Sequence, residues 1–501
     1  MQIKKNIYST LFLMLMALFC LNAIIQAQTF EAIKKQAKEH TLSNGMKFIV
    51  LERHEAPVVS FHTYADVGSA QEVYGITGIS HLLEHMAFKG TKIVGTKDYD
   101  AEAKLLDQVD HLYDQLIREK SSINQDSARI KALQTEFDKA NKAAHELVVI
   151  DEYADMLLKQ GGVGLNAYTS NDATQYINSL PSNKLEFWMA MESDRFMNPI
   201  FREFFEERNV VMEERRLGLE TRPTGKLIED FIATAFKAHP YSHSVVGHMS
   251  DLRRITRKDV NNYFHQYYSP SNLTVAIVGD VKTDKVFKMA ETYFGRISGG
   301  PKPGALRTEE PEQWGERYVT VEAQAQPLII VGYQRPEITS KDDLSLDAMA
   351  NIFGIGRSSR LYEKLVKEKK IAIQTGAFNG WPGNKYPNLF AVYAFPAKDH
   401  TSAECLEVID AEIEKLKAES VTKEELTKYK RYIKKWMIDR MKSNSRMAAA
   451  LTFNEVIFGD WQKTFDRIQE VEALTTADVQ AVAQKYLIRK HRTVGDIIPE
   501  K

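Results

Sequence analysis

Two histidines and a carboxylate stand together in the stretch His81-Leu82-Leu83-Glu84-His85. Around them Ile79, Leu82, Leu83 and Met86 recur at helical spacing, so the segment from Gly75 to Phe88 reads as a helix with one apolar face. Residues four apart on a helix lie one turn apart on the same face, which lets both imidazoles reach a single ion. Glu84 borders that face and can lean past a metal toward a bound water. Zinc takes nitrogen and oxygen ligands in a tetrahedron and keeps one position open in catalytic sites. Two histidines therefore leave one protein ligand to be found, and a distant carboxylate suits that place. The stretch from Phe205 to Glu214 offers one, because Glu207 and Glu214 share a helical face two turns apart. Val210 and Val211 between them are expected to anchor that face in the core. An acid on an apolar face is costly unless it is paired or holds a metal, and on that ground Glu214 is the candidate. Such a set activates water for hydrolysis.

The elements that would position these residues are legible around them. Ser43-Asn44-Gly45 is a strong turn signal followed by a strand over Lys47 to Glu52, and Val58 to Val67 reads as another strand. Leu105, Val109, Leu112 and Leu116 repeat at helical spacing. After a polar break from Ser121 to Asp126, Ile130, Leu133, Phe137, Ala140 and Ala144 do the same. This predicts a helical hairpin inserted at about residues 100–158. The run Ser298-Gly299-Gly300-Pro301-Lys302-Pro303-Gly304 marks a linker over 299–311. An internal repeat flanks it. Ile255-Thr256-Arg257-Lys258-Asp259-Val260, Tyr267 and Leu273-Thr274-Val275 return as Leu474-Thr475-Thr476-Ala477-Asp478-Val479, Tyr486 and Arg492-Thr493-Val494, at a constant offset of 219 residues. A gapless match of that length predicts a duplicated domain. The expected fold is α+β, with two similar domains that each pack helices on a mixed sheet. The first, 28–298, carries the candidate site and the hairpin insert; the second, 312–501, lacks the site.

Composition narrows the function classes. The chain has 501 residues, 44% hydrophobic and 27% charged, with a formal net charge of −1, which gives no field to attract nucleic acid. Lys4 and Lys5 precede an apolar run from Leu11 to Ile25 and then Gln26-Ala27-Gln28, the pattern of a signal peptide over 1–27 cut after Ala27. The mature protein is then exported, periplasmic or secreted, with no membrane span of its own. Phe19 before Cys20 does not fit lipoprotein processing. Cys20 would leave with the signal peptide, so Cys405 is the one mature cysteine and no internal disulfide forms. Cys405 reads as a small buried hydrophobe. His239, His243 and His248 cluster around Pro240 and read as loop and packing residues, and Lys423 to Lys435 reads as a solvated helix face.

The string from Gly78 through His81-Leu82-Leu83-Glu84-His85 to Thr91 resembles the inverted zinc motif of the pitrilysin/insulinase family, which includes the mitochondrial processing peptidases. Leu165-Asn166-Ala167-Tyr168-Thr169-Ser170 and the segment from Glu207 to Glu214 resemble two further family segments. The resemblance implies one zinc per chain held by His81, His85 and Glu214, with Glu84 as general base and Glu207 as a supporting carboxylate. It also implies that Asn166, Ala167, Tyr168 and Thr169 lie on an edge strand that binds peptide substrate through its backbone. The activity it implies is a zinc-dependent endopeptidase acting on extended peptides. Two departures stand out. The gap from Glu84 to Glu214 is long, and the helical insert accounts for it. Many members also carry an Arg and a Tyr seven residues apart in the C-terminal half. Here Lys367 takes the Arg place and Ile373 falls where the Tyr would be, in a segment one residue short. Because family units close as pairs over a chamber, a dimer is expected, with a related, non-identical subunit supplying that Arg and Tyr or with a second copy of the chain. A catalytically inactive partner subunit and a hydrolase of small molecules are the competing readings.

Overall fold

Phe48–Leu51 and Val275–Val278 are apolar without alternation, the mark of strands covered on both faces, and they pair in parallel inside one sheet. The computed structural model describes residues 31–500, so the signal peptide read at 1–27 lies outside the described residues. The first sheet contains β1 (Lys38–Thr41), β2 (Lys47–Glu52), β3 (Val58–Ala65), β4 (Val163–Thr169), β5 (Thr174–Pro181) and β6 (Leu273–Gly279), in the order β1-β2-β6-β3-β5-β4. The Asn44-Gly45 turn closes the β1–β2 hairpin, with Gly45 at a φ of 93° that favours glycine. The second sheet contains β7 (Arg317–Glu322), β8 (Leu328–Arg335), β9 (Ala372–Trp381), β10 (Asn388–Pro396) and β11 (Arg492–Ile498), in the order β7-β11-β8-β10-β9. Residues 299–316 between them carry no helix or strand.

The helices that matter for the site are α1 (Ile79–Met86), α2 (Tyr99–Lys120), α3 (Ser127–His145), α4 (Phe204–Arg215), α5 (Pro223–Ala235) and α6 (Arg257–Tyr267). In the second half they are α7 (Lys423–Met441), α8 (Asn444–Phe458) and α9 (Thr476–Tyr486). The offset of 219 residues carries α6 onto α9 residue for residue, and each opens with the same capping box, Thr256 with Asp259 and Thr475 with Asp478. The sheets repeat as well. The β2–β6 and β7–β11 pairs are parallel, and the β6-β3-β5-β4 and β11-β8-β10-β9 runs are antiparallel throughout. Strands β4 and β9 are therefore equivalent edges.

The halves are locked by an exchange of helices. From the first half, α5 buries Leu227, Phe231, Ile232 and Ala235 against Leu328, Ile330, Leu389 and Ile497 of the second sheet. From the second half, α8 buries Met447, Ala448 and Leu451 against Ile49, Leu51, Ala276 and Val278 of the first. At the repeat offset residues 223–235 fall on 442–454, so α5 and α8 overlap as counterparts.

The insert is the predicted hairpin. Leu106, Val109, Leu112, Tyr113 and Leu116 of α2 meet Leu133, Phe137, Ala140 and Ala144 of α3, with Leu106 rather than Leu105 fully buried. It braces the candidate site. Arg208 of α4 donates to the Tyr113 hydroxyl at 2.6 Å. Buried Arg202, paired with Glu102 at 2.8 Å, also donates to the backbone carbonyls of Thr91 and Val94, just after α1. The expectation that Lys423 to Lys435 is only a solvated face is corrected. Its lysines face out, but Leu426 and Tyr429 are buried, as are Met437 and Met441 further along α7.

Among the polar contacts that join the halves, one is fully buried against α8. His62 of β3, 1% exposed, is hydrogen-bonded through Nδ1 to the Thr452 hydroxyl of α8 at 2.8 Å. Burial pushes its pKa down to about 3. The unfolded chain takes up that proton near the ordinary imidazole value of about 6.5, so the folded state binds fewer protons between those values and stability is lost as the pH is lowered through them. Between pH 7 and pH 5 this linkage removes about 2 kcal/mol. In denaturant titrations at the two pH values, His62→Gln should lose less stability than the wild type by that amount; an equal loss would contradict it.

Candidate metal centre

The start of α1 is fixed by carboxylates that sequence reading did not find. Glu72, buried, accepts from the backbone N–H groups of Gly78 and Ser80, each at 2.8 Å, and burial pushes its pKa up to about 8. Asp251 accepts from the N–H groups of Gly75 and Thr77 and from the Thr77 hydroxyl. Gly78 has a φ of 90°, and a Cβ there would come within 2.5 Å of the Val246 carbonyl. Ile79, Leu82, Leu83 and Met86 then turn into the core, which leaves His81 and His85 on the opposite side. Their rings lie 4.9 Å apart at 87°.

Helix α4 brings the third group. Glu214 places its carboxylate oxygens 3.6 Å from His81 Nε2 and 3.8 Å from His85 Nε2. One ligand atom from each of His81, His85 and Glu214 lies within 4.8 Å of the others, and among the described residues this is the one His/Cys/Asp/Glu group so arranged. Zinc with bonds near 2.0 Å needs ligand atoms about 3.3 Å apart in a tetrahedron, so the set fits that ion with small movements. Glu207 Oε2 accepts from His85 Nδ1 at 3.1 Å, while its other oxygen takes Lys89 Nζ at 2.6 Å. This contact leaves Nε2 of His85 as the nitrogen turned toward Glu214.

Two expectations about α4 are corrected. Val211 is buried, but Val210 is 44% exposed. The Glu214 side chain is itself 46% exposed, so it is not an acid on a buried face. The reason is the helical period. Phe204, Arg208, Val211 and Arg215 form the inward stripe, and Glu207, Val210 and Glu214 form the neighbouring, less buried stripe.

The electrostatics suit ligation and proton transfer. Burial, helped by neighbouring His85, lowers the His81 pKa to about 4 and keeps its lone pair free. Burial opposes the His85 cation, but Glu207, Glu214 and Glu84 outweigh it and raise its pKa. Burial raises the Glu84 pKa, partly offset by a hydrogen bond that the Thr169 hydroxyl donates to Glu84 Oε2 at 2.6 Å. Oε1 of Glu84 has no hydrogen-bond partner among the described residues.

Thr169 belongs to the edge strand. The segment Asn166 to Thr169 pairs on one side with β5, and no strand pairs with its other side among the described residues. Ala167 and Thr169 share the face of α1, whereas Asn166 and Tyr168 share the face of His62 and Tyr64, toward the second half. The lone groups elsewhere behave as expected. His239 bonds the Tyr241 N–H, and His243 is buried, while burial pushes the Cys405 thiol up to about 11. Lys367 is exposed and paired with Glu363 at 2.6 Å, and Ile373 on β9 is 60% exposed.

Residues 47–108 match the description Insulinase (Peptidase family M16), and residues 254–433 match Peptidase M16 inactive domain. A zinc protease, PqqE, of Helicobacter pylori is 30% identical over 455 residues, 89% of each chain. The chain belongs to the pitrilysin/insulinase family. A probable mitochondrial-processing peptidase subunit beta of Arabidopsis thaliana is 24% identical over 92% of this chain and 78% of its own length. A crystal structure of a Helicobacter pylori protease superposes with a TM-score of 0.77 at 27% identity, covering 92% of this chain and 99% of that one. Within this family chain the Thr169–Glu84 bond has a measurable consequence. Losing a hydrogen bond to a charged group costs about 1.5–3 kcal/mol, so Thr169→Val should lower kcat about ten- to a hundredfold with zinc affinity unchanged. An unchanged kcat would show that Glu84 needs no such support.

Proposed function

We propose that the chain is a zinc-dependent endopeptidase that hydrolyses peptides or unfolded segments bound in extended form, with one zinc held by His81, His85 and Glu214. The observation that carries this reading is the convergence of those three ligand atoms beside Glu84 and beside a free strand edge. Bound zinc would supply the Lewis acid that acidifies a water and polarises a carbonyl. The chain's own groups do the rest. His81 offers a neutral imidazole nitrogen, His85 offers one on giving up the proton that its carboxylate neighbours favour, and Glu207 holds His85 in its ligating orientation. Glu84, with Oε2 tied to Thr169, presents Oε1 to take a proton from the attacking water and return it to the leaving amine. Backbone groups of β4 from Asn166 to Thr169 hold the peptide as an added strand, which aligns its carbonyl with the centre.

The lack of Arg and Tyr at Lys367 and Ile373 supports a dimeric enzyme in which a related, non-identical subunit supplies them; a homodimer is the alternative. The basic and apolar leader supports export to the periplasm or beyond, and among the described residues no helix is long and apolar enough to cross a membrane. A purely scaffolding role has less support, since the whole ligand set and Glu84 are in place.

Glu84→Gln should retain zinc at wild-type stoichiometry and lose about 10²–10⁴-fold in peptide cleavage. Cleavage at the wild-type rate would remove Glu84 from the mechanism. Full activity of the pure single chain in the same assay would count against a required second subunit.

A further inference from the structure

The second half holds a cleft of about 390 Å³ that the metal centre does not use. Its walls include Ile355, Tyr432, Trp436, Met437, Arg440 and Phe453. Ile355, Tyr432 and Trp436 are 43, 48 and 47% exposed, an apolar wall open to solvent. Arg440 stacks on the Trp436 ring at 4.4 Å. It is half-buried, and the charged groups acting on it are Tyr168, Arg446 and Arg467, with no carboxylate partner within 4.0 Å among the described residues. Arg467 differs, being neutralised by Asp343 at 2.6 Å. A partly desolvated guanidinium without a counter-ion is costly in the free protein and well formed to take a carboxylate.

The place of this cleft relative to β4 gives it a ligand. Met441, which ends α7, lines both this cleft and a neighbouring one whose wall includes Val163 of β4. Helix α8, which supplies Met447 and Phe453, packs across the first sheet on the face of His62. That is the face to which Asn166 and Tyr168 point, and the Arg440 charge acts on the Tyr168 phenol. A peptide added to β4 sends successive side chains to opposite faces. One set meets α1 and Glu84. The other set is directed at the second half.

We propose that this cleft is a side-chain subsite for the peptide on β4, seating a large aromatic or aliphatic side chain against Trp436 and Tyr432 and a carboxylate on Arg440. The carboxylate comes from a neighbouring acidic side chain or from the peptide's C-terminus. This rests on the reading of β4 as the peptide's docking edge.

The test uses zinc-loaded Glu84→Gln protein, full chain, which holds peptides uncut. Fluorescein-labelled ten-residue peptides on a Gly/Ser background carry Phe and Glu walked through the positions, with Ala, Gln and C-terminal amide controls. Anisotropy should show one Phe register bound at least about tenfold tighter than Ala, and a further gain of about tenfold from the carboxylate. The Gln and amide controls tell the two carboxylate sources apart. Adding Trp436→Ala should remove the Phe preference, and Arg440→Gln only the carboxylate preference. If Trp436→Ala does not fold, Tyr432→Ala reads the same wall. Peptides that bind with a flat profile, or preferences that survive both substitutions, overturn the subsite while leaving docking on β4 intact. No peptide binding at all overturns the docking edge itself. A sedimentation mass that doubles and is lost in Trp436→Ala, with an unchanged peptide profile, shows a second copy of the chain in the cleft and also overturns the proposal.

Discussion

Everything at the centre depends on the contact of α4 with α1. The two histidines need only a helix, but Glu214 arrives from more than a hundred residues away and must stop within bonding reach of a shared ion. The inward stripe of α4 sets that position, with Phe204 and Val211 in the core and Arg208 fastened to Tyr113 and the Ile255 carbonyl. At the far end Arg215 is clamped by Glu229 at 2.9 Å. Glu207 then bridges the two helices through His85 and Lys89, both from or just after α1. Charge-assisted bonds in a partly dry site are strong and directional, so the ligand set is organised before an ion arrives.

The same logic explains the architecture around it. Duplicated halves give two sheets of matching order, but only the first bears the ligands, and the second contributes walls. Exchange of α5 and α8 buries each helix in the opposite half's sheet, so the halves cannot separate without exposing two apolar cores. This keeps α7 and α8 fixed beside β4, and the cleft of the second half becomes a rigid feature on which substrate recognition can be built. The hairpin insert is tied to the same frame by Arg202 with Glu102 and by Arg257 with Asp110, so it acts as a brace behind α4.

How far the sequence revealed this depended on distance along the chain. His81, Glu84 and His85 were legible because four-residue spacing on an amphipathic helix is a local rule. The duplication was legible because Thr256, Asp259 and Tyr267 recur without a gap. The hairpin insert followed from its two apolar stripes. Glu214 was reached by resemblance, while the physical reason offered for it failed: its side chain is half exposed, and Val210 near it faces solvent. Glu72, Asp251 and the Thr169 bond to Glu84 were out of reach, since each joins segments that come together only in the folded sheet. The lysines of α7 disguised a helix whose other side carries Tyr429, Trp436 and Arg440.

The central claim, that His81, His85 and Glu214 hold one zinc, is tested most directly by X-ray absorption at the zinc edge on the purified protein loaded with one equivalent. The account predicts two imidazole nitrogens and one or two oxygens at about 2.0–2.2 Å, with one imidazole lost in His85→Ala and an oxygen shell altered in Glu214→Gln. A zinc shell without two imidazoles, or one that neither substitution changes, would contradict it.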